Sequence, residues 1–251
     1  MSRIPGSSSN NESHSSRDGI VQQPLVMQHM VTGPDTNCYL LYDVPSRQSA
    51  LIDVAGGIGP LLATVHSEHL DVRYFLFTHG HFDHIMGLPL LRSSFPGALV
   101  CMHRADFDDL AIQAEWGKNN FPPEILADPE AKKILEFDAA AFGVPDIYLS
   151  DGQELKLGEH VITVLHSPGH SPGSVCFSVG DLLFSGDVLF RDSVGRVDVL
   201  HGSREDQIHS VRRLYDSLSE RTVVYPGHGE STTISREKLE NMKVTIESVN
   251  L

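Results

Sequence analysis

The stretch Thr78–Gly87 reads THGHFDHIMG and follows directly on the apolar run VRYFLF. It sets His79, His81, Asp83 and His84 within six residues, at the end of what reads as a buried strand. A structural role does not require three imidazoles and a carboxylate so close together, whereas a metal site does. In extended backbone His79 and His81 lie on the same side and can grip one ion. Asp83 and His84, at the turn into a following helix, point elsewhere and can grip a second.

Three more segments place a metal-capable side chain just after a β-type apolar run: HSPGHSPGS with His170, LLFSGDVLF with Asp187 and VVYPGHGES with His228. Loops at strand ends project side chains from a rigid base. Seven ligands from four such ends suit two metals. Imidazole and carboxylate donors favour zinc, then iron or manganese, over magnesium, and the lack of Cys donors favours an open catalytic site over a closed structural one. The Asp187 carboxylate can bridge two cations as a single imidazole nitrogen cannot. His170 lies between two Pro-Gly turns and His228 between two glycines, so the chain itself sets their direction. Asp53, in LIDVAGG, ends the strand before the first helix, where a carboxylate orients a ligand imidazole or serves a simple turn. His103, His166 and His201 read as structural or rim residues.

Composition narrows the partners. The chain has 251 residues, 33 acidic against 19 basic, and a formal charge of −14. That charge, without a basic stripe, disfavours nucleic acid. No apolar run reaches the roughly 18 to 20 residues that span a bilayer, and the N-terminus lacks the charged start and apolar core of a signal peptide. A cytoplasmic protein is expected, with organellar import as the alternative. Residues 1–20 are Ser/Asn-rich and read as a disordered tail. Residues 21–251 read as a single domain. Cys38, Cys101 and Cys176 are widely spaced among apolar neighbours and read as buried thiols.

Along that domain, NCYLLYD and SALIDVA read as paired strands, and Gly59–Leu70 as a helix. Strand 73–78, helix 84–93 and strand 98–102 follow. Helices over Asp106–Trp116 and Pro123–Phe137 make residues 104–150 a helical insertion. Its Trp116, Phe121 and Phe137 either cap a cleft or pack on the domain. Strands 153–157, 160–166, 174–179 and 181–186 come next, with a hairpin turn at Val179–Asp181. Helix 204–218, strand 222–225 and helix 234–249 complete the chain. Strand and helix alternate in both halves, consistent with two sheets packed between outer helices.

The ordered pattern HxHxDH, H, D, H over about residues 25–240 resembles the metallo-β-lactamase-fold superfamily. The resemblance implies an α/β fold, a four-layer αββα sandwich with metals at one edge between the sheets. It implies His79, His81 and His170 on one ion, Asp83, His84 and His228 on the other, and Asp187 between them. Asp83 and Asp187 are then its catalytic carboxylates. Within the superfamily, SPGHSPGSV, SGDVLFRDSVGRVD and YPGHGESTTISREKLEN are similar to the small glyoxalase II-like branch. That branch implies hydrolysis of a small-molecule acyl thioester, such as a hydroxyacylglutathione, with Arg196 of GRVD binding a substrate carboxylate or pairing with Asp198. Two features depart from the branch: 23 residues follow His228 where full-length enzymes carry a helical domain, and Asp53-Val54-Ala55 replaces the usual Asp-Pro-Gly. The competing readings are a persulfide dioxygenase with one iron on His79, His170 and Asp187, a nuclease of the same fold, and a metal-holding sensor without catalysis. A β-lactam is a poorer substrate, because an amine leaves badly without protonation.

Overall fold

A computed structural model describes residues 25–32, 35–127, 129, 132 and 135–247. The expected disordered tail over residues 1–20 lies outside them. The first half of the chain builds β1 (Leu25–Thr32), β2 (Thr36–Asp43), β3 (Gln48–Ile52), α1 (Gly59–Ser67), β4 (Asp71–Leu76), α2 (Phe82–Ile85), α3 (Leu88–Arg92) and β5 (Leu99–His103). It continues through α4 (Arg104–Asn120), α5 (Pro123–Leu126), α6 (Ala139–Phe142) and β6 (Ile147–Leu149). The second half builds β7 (Glu154–Leu157), β8 (His160–His166), β9 (Val175–Val179), β10 (Leu182–Gly186), β11 (Leu189–Phe190) and β12 (Ser193–Val194). It closes with α7 (Arg204–Ser217), β13 (Val223–Pro226), β14 (Thr232–Thr233), α8 (Ile234–Glu240) and α9 (Met242–Glu247).

Strands β1 to β6 form one six-stranded sheet in sequence order, and a second runs β14-β13-β10-β9-β8-β7. The alternation of side chains along each strand explains how both faces become buried. In β2, Tyr39 and Leu41 join a cluster with Ile52, Leu76, Val164, Phe177 and Phe184, drawn from both sheets. Their neighbours Leu40 and Tyr42 face the other way, with Leu51 and Phe75, onto Leu61 and Val65 of α1 and Leu110 of α4. The second sheet repeats the scheme: Cys176, Leu183 and Val224 pack on Val211 and Leu214 of α7 and on Ile234 of α8. The layers are helix, sheet, sheet, helix, which is the expected αββα sandwich. The three cysteines are buried, and burial pushes the Cys101 and Cys176 thiols up to about 12.

Several element boundaries differ from the expectation, each for a local reason. The helix expected over 84–93 is two short helices, α2 and α3, because the Gly87 backbone N–H donates to Val54 O at 2.8 Å. A Cβ on Gly87 would lie 2.4 Å from Ala55 O, so only glycine permits that approach. The helix expected over 234–249 breaks at the buried Asn241, whose side chain donates to Ser193 O at 3.0 Å and Glu237 Oε2 at 2.9 Å; residues 248 and 249 lie outside the described residues. β1 was not expected, and it pairs only with β2, at the sheet's edge. α4 runs from Arg104 to Asn120, beyond the expected Asp106–Trp116, and the expected helix over Pro123–Phe137 falls partly on undescribed residues. The stretch 104–150 ends in β6, which extends the first sheet by pairing with β5.

This topology carries the chemistry-bearing loops to one edge. His79 follows β4, His170 follows β8, Asp187 follows β10 and His228 follows β13, all at strand C-terminal ends. The Val175 N–H donates to Thr78 O at 2.8 Å and the Asn37 N–H to Gly227 O at 2.7 Å, which tie the two sheets together beside those loops. Among the described residues, no helix is long and apolar enough to cross a membrane.

Candidate metal centre

The seven sequence-predicted ligands converge. His79, His81 and His170 form one group whose donor atoms lie within 4.8 Å of one another, Asp83, His84 and His228 form a second, and His79, His84 and Asp187 form a third. Across the centre, His170 Nε2 stands 2.8 Å from His81 Nδ1, and His84 Nε2 stands 3.2 Å from His228 Nε2. Asp187 lies between the sets, with Oδ1 3.5 Å from His84 Nε2 and Oδ2 3.5 Å from His228 Nε2 and 3.6 Å from His170 Nε2. His79, His84 and His170 are at most 2% exposed.

The outward nitrogens explain why these rings aim inward. The Nδ1 of His84 meets Asp53 Oδ2 at 2.9 Å, that of His170 meets Arg196 O at 2.8 Å and that of His228 meets Asp35 O at 2.9 Å. Each acceptor calls for a proton on Nδ1, which leaves the Nε2 lone pair facing the centre. His79 Nδ1 lies 3.0 Å from Thr78 Oγ1, and its Nε2 is buried with no hydrogen-bond partner. The His84–His228 contact brings two Nε2 atoms to 3.2 Å, so a positive charge must lie between them, a proton held on His84 or a metal cation in its place.

Electrostatics give the same reading. Burial alone would depress His84, but the carboxylates Asp83, Asp187 and Asp53 overcome it and push its proton affinity up to about 10. Burial resists ionisation of Asp83, yet His84 and the hydrogen bond with His228 hold its carboxyl below the usual range. Away from the carboxylates the effect reverses. Burial and neighbouring imidazoles hold His79 well below its usual value, His81 near 3 and His170 near 4, so these three rings stay neutral with lone pairs available. A carboxylate-rich half that demands positive charge beside an imidazole-rich half that offers lone pairs fits divalent cations of the zinc, iron or manganese type. Gly227 leaves room for the arrangement: a Cβ there would lie 2.1 Å from Asp187 Oδ1 and 2.8 Å from His84 Cε1.

Asp53 sits where it braces the centre. Its backbone is left-handed, with φ 51°, and its carboxylate accepts from Thr78 N at 2.9 Å and Thr78 Oγ1 at 2.7 Å as well as from His84. Arg196 lines the cleft over the centre, but its guanidinium is committed to Asp198 through two 2.8 Å hydrogen bonds. Of the rim histidines, His103 caps α4 by accepting from Ala105 N at 3.2 Å and stacks on His166 at 4.3 Å, while His201 pairs with Asp109 at 2.8 Å. Trp116 and Phe121 line the cleft, whereas Phe137 packs against Phe82 at 5.1 Å.

Sequence reasoning missed the residues that hold the loops together. Asp106, 2% exposed, accepts from Gly80 N at 2.7 Å, Ser171 Oγ at 2.7 Å and Gly173 N at 2.6 Å, joining the loop after β4 to the loop after β8. Burial pushes its carboxyl up to about 6 against the pull of those donors. Gln113, also on α4, donates to Gly80 O at 2.9 Å and accepts from Phe82 N at 3.1 Å. In the sequence both look like ordinary polar helix residues; only their places at either end of one helical face hint at a shared task.

Known proteins resemble this chain in sequence and fold. The sequence profile of the metallo-beta-lactamase superfamily matches residues 31–242. The hydroxyacylglutathione hydrolase GloC of Haemophilus influenzae is 31% identical over 84% of this chain and 93% of its own. The mitochondrial persulfide dioxygenase ETHE1 of Bos taurus is 29% identical over 89% of this chain and 77% of its own. Among solved structures, the BLEG-1 B3 metallo-beta-lactamase superposes with TM-score 0.70 at 31% identity, covering 88% of this chain and all of that one. TTHA1623 in a di-iron-bound form gives TM-score 0.67 at 31% identity, covering 86% and 98%.

Proposed function

The chain belongs to the metallo-β-lactamase superfamily, and from that premise we propose that it is a dinuclear metallo-hydrolase that cleaves acyl thioesters of the glyoxalase II type. The observation that carries this reading is the pair of converging donor sets on either side of Asp187, each with outward nitrogens fixed by hydrogen bonds. His79, His81 and His170 would hold one cation and Asp83, His84 and His228 the other, with the Asp187 carboxylate placed between the two sets. Two divalent cations supply Lewis acidity, lowering the pKa of water from about 15.7 towards about 7 and polarising a carbonyl. Zinc is the first candidate, with iron next on the likeness to a di-iron structure.

The protein's own groups do the rest. Asp53 and the Asp35 and Arg196 carbonyls lock His84, His228 and His170 in one tautomer and one orientation, so the donor geometry exists before substrate arrives. Water adds to the thioester carbonyl carbon, the C–S bond breaks, and the products are a carboxylic acid and a thiol. No side chain need act as a strong general acid, because a thiolate leaves unaided. Arg196 stands at the cleft wall, where a substrate carboxylate would compete with Asp198 for its guanidinium. Hydroxyacylglutathione is the reference substrate, on the likeness to GloC. A small-molecule substrate, a cytoplasmic location and no nucleic-acid partner complete the proposal.

A second reading, persulfide dioxygenation at one iron on His79, His170 and Asp187, draws on the likeness to ETHE1. Metal analysis of protein purified without added metal, run beside thioesterase and oxygen-consumption assays, separates the two. Two ions per chain with turnover of glutathione or coenzyme A thioesters supports the first. One iron with oxygen uptake on glutathione persulfide replaces it with the second.

A further inference from the structure

Resting on the thioester reading above, we propose that this site selects an apolar acyl group, an alkanoyl or arylacyl chain, over a short hydroxyacyl group. The cleft above the metal-ligand cluster has a volume of about 470 Å³, and His81, Asp83, His170, Asp187 and His228 reach its surface. A carbonyl set over those residues directs its acyl chain along walls made by Trp116, Phe121, Leu135, Phe190, Val199 and Leu200. These six apolar side chains come from α4 and the chain after it, from β11 and from the loop after β12.

The wall is built, not incidental. Trp116 and Phe121 meet edge to face at 5.7 Å, and the turn that brings them together is closed by Phe121 N donating to Gly117 O at 2.9 Å. A Cβ at Gly117 would lie 2.6 Å from Leu135 and 3.1 Å from Phe121, so these two side chains close in on a residue with no side chain of its own. On the opposite side Phe190 rests against His228 at 6.2 Å between ring centres, which brings an aromatic surface to the reacting end.

The polar groups in the same walls are largely committed. Gln113 uses its amide nitrogen on Gly80 O and its amide oxygen on Phe82 N. Arg196 is ion-paired with Asp198 and lies 5.8 Å over the Phe121 ring. The 2-hydroxyl of a lactoyl group therefore enters a cleft where Ser193 is the wall hydroxyl left to receive it, its own contact to Val194 O being 3.4 Å. Each methylene of an alkanoyl chain gains about fourfold in binding when buried. An added hydroxyl in an apolar pocket loses up to about a hundredfold.

The test uses metal-loaded protein. kcat/KM is measured for acetyl, propanoyl, lactoyl, hexanoyl and phenylacetyl groups, each on glutathione and on coenzyme A, so that the carrier and the acyl group are varied independently. In parallel, non-hydrolysable S-methyl to S-octyl glutathione thioethers are titrated against the fluorescence of Trp116, the single tryptophan of the chain. The expected result is a rise of about fourfold per methylene in both readouts until the cleft fills, with propanoyl faster than lactoyl on the same carrier. Phe121→Ala narrows the hexanoyl-to-acetyl ratio about tenfold, with metal content as the check that the site has formed, and Phe121→Leu restores most of it. Rates and affinities that ignore chain length, or lactoyl turned over as fast as propanoyl, overturn the apolar subsite and leave the thioesterase reading intact. Thioethers that bind more tightly with length while no thioester is hydrolysed retain the subsite and overturn the thioesterase reading.

Discussion

Asp53 divides its two oxygens among three donors, Thr78 N, Thr78 Oγ1 and the Nδ1–H of His84, at 2.9, 2.7 and 2.9 Å. In Asp53→Asn one oxygen becomes an NH2 that cannot accept, so either Thr78 N loses its acceptor or Thr78 Oγ1 and the His84 proton lose theirs together. The expected outcome is a ten- to hundredfold loss of affinity at the ion held by Asp83, His84 and His228, measured by competitive metal titration. A simple turn role for Asp53 would instead lower the melting temperature and leave metal affinity untouched. Gly227→Ala tests the same centre by volume, since its Cβ would lie 2.1 Å from Asp187 Oδ1. We expect metal content to fall below that of the wild type while far-UV circular dichroism is kept. The side chains that converge on this centre were legible in the sequence because three imidazoles within six residues have few other uses. Their orienting partners were only partly so: Asp53 carries a readable carboxylate, whereas the Asp35 and Arg196 carbonyls that fix His228 and His170 are backbone groups, which every residue has.

At the scale of elements, α4 acts as a clamp. Asp106 in its first turn and Gln113 two turns on fasten the loop after β4 from one side, and Asp106 alone reaches the loop after β8 through Ser171 and Gly173. Asp106→Asn turns one carboxylate oxygen into a donor facing an N–H or O–H that also donates. A buried donor left in that way costs about 1–3 kcal/mol, which in a domain of this size corresponds to several degrees of melting temperature. Thermal unfolding and kcat/KM should fall together, because both loops carry residues of the proposed metal centre. Unchanged turnover with lowered stability would show that α4 supports the fold and leaves the site alone. The strand ends that carry this site were readable from apolar runs followed by a chemistry-bearing residue. The clamp was not, because pairing Asp106 with Gly80 and Ser171 depends on how the sheets stack. Helix breaks at Gly87 and Asn241 were hidden for a related reason: each is caused by a distant partner, Val54 O in one case and Ser193 O in the other.

For the whole molecule, the two sheets contribute metal-capable side chains to one centre, four from the first and three from the second, so a metal bound there would cross-link them. Their shared apolar cluster, including Tyr39, Leu41, Phe177 and Phe184, holds them together without metal, and chelated protein is expected to stay folded but melt earlier. Ions that bind only the folded chain at a hundredfold excess over Kd contribute about 2.7 kcal/mol each, on the order of 10 °C for two. The pH dependence of that gap follows from the imidazoles. An unfolded histidine titrates near 6.5. In the metal-free fold His84 holds its proton up to about 10, so its contribution is full below about pH 6.5 and is lost as pH rises towards 10. His81 and His170, held near 3 and 4, act in the opposite direction: the unfolded chain takes up their protons below pH 6.5, and stability drains away as pH falls towards 4. Chelated protein should therefore be most stable near pH 6.5 and weaken on both sides. Metal-loaded protein has no His84 Nε2 proton to lose between pH 6.5 and 10, and fails in acid when protons displace the ions. Melting temperatures measured from pH 5 to 9.5 with and without a chelator should diverge as pH rises above 6.5. Curves that run parallel across that range would mean that metal does not take the place of a raised proton on His84, and the coupling between that proton and the second donor set would have to be abandoned.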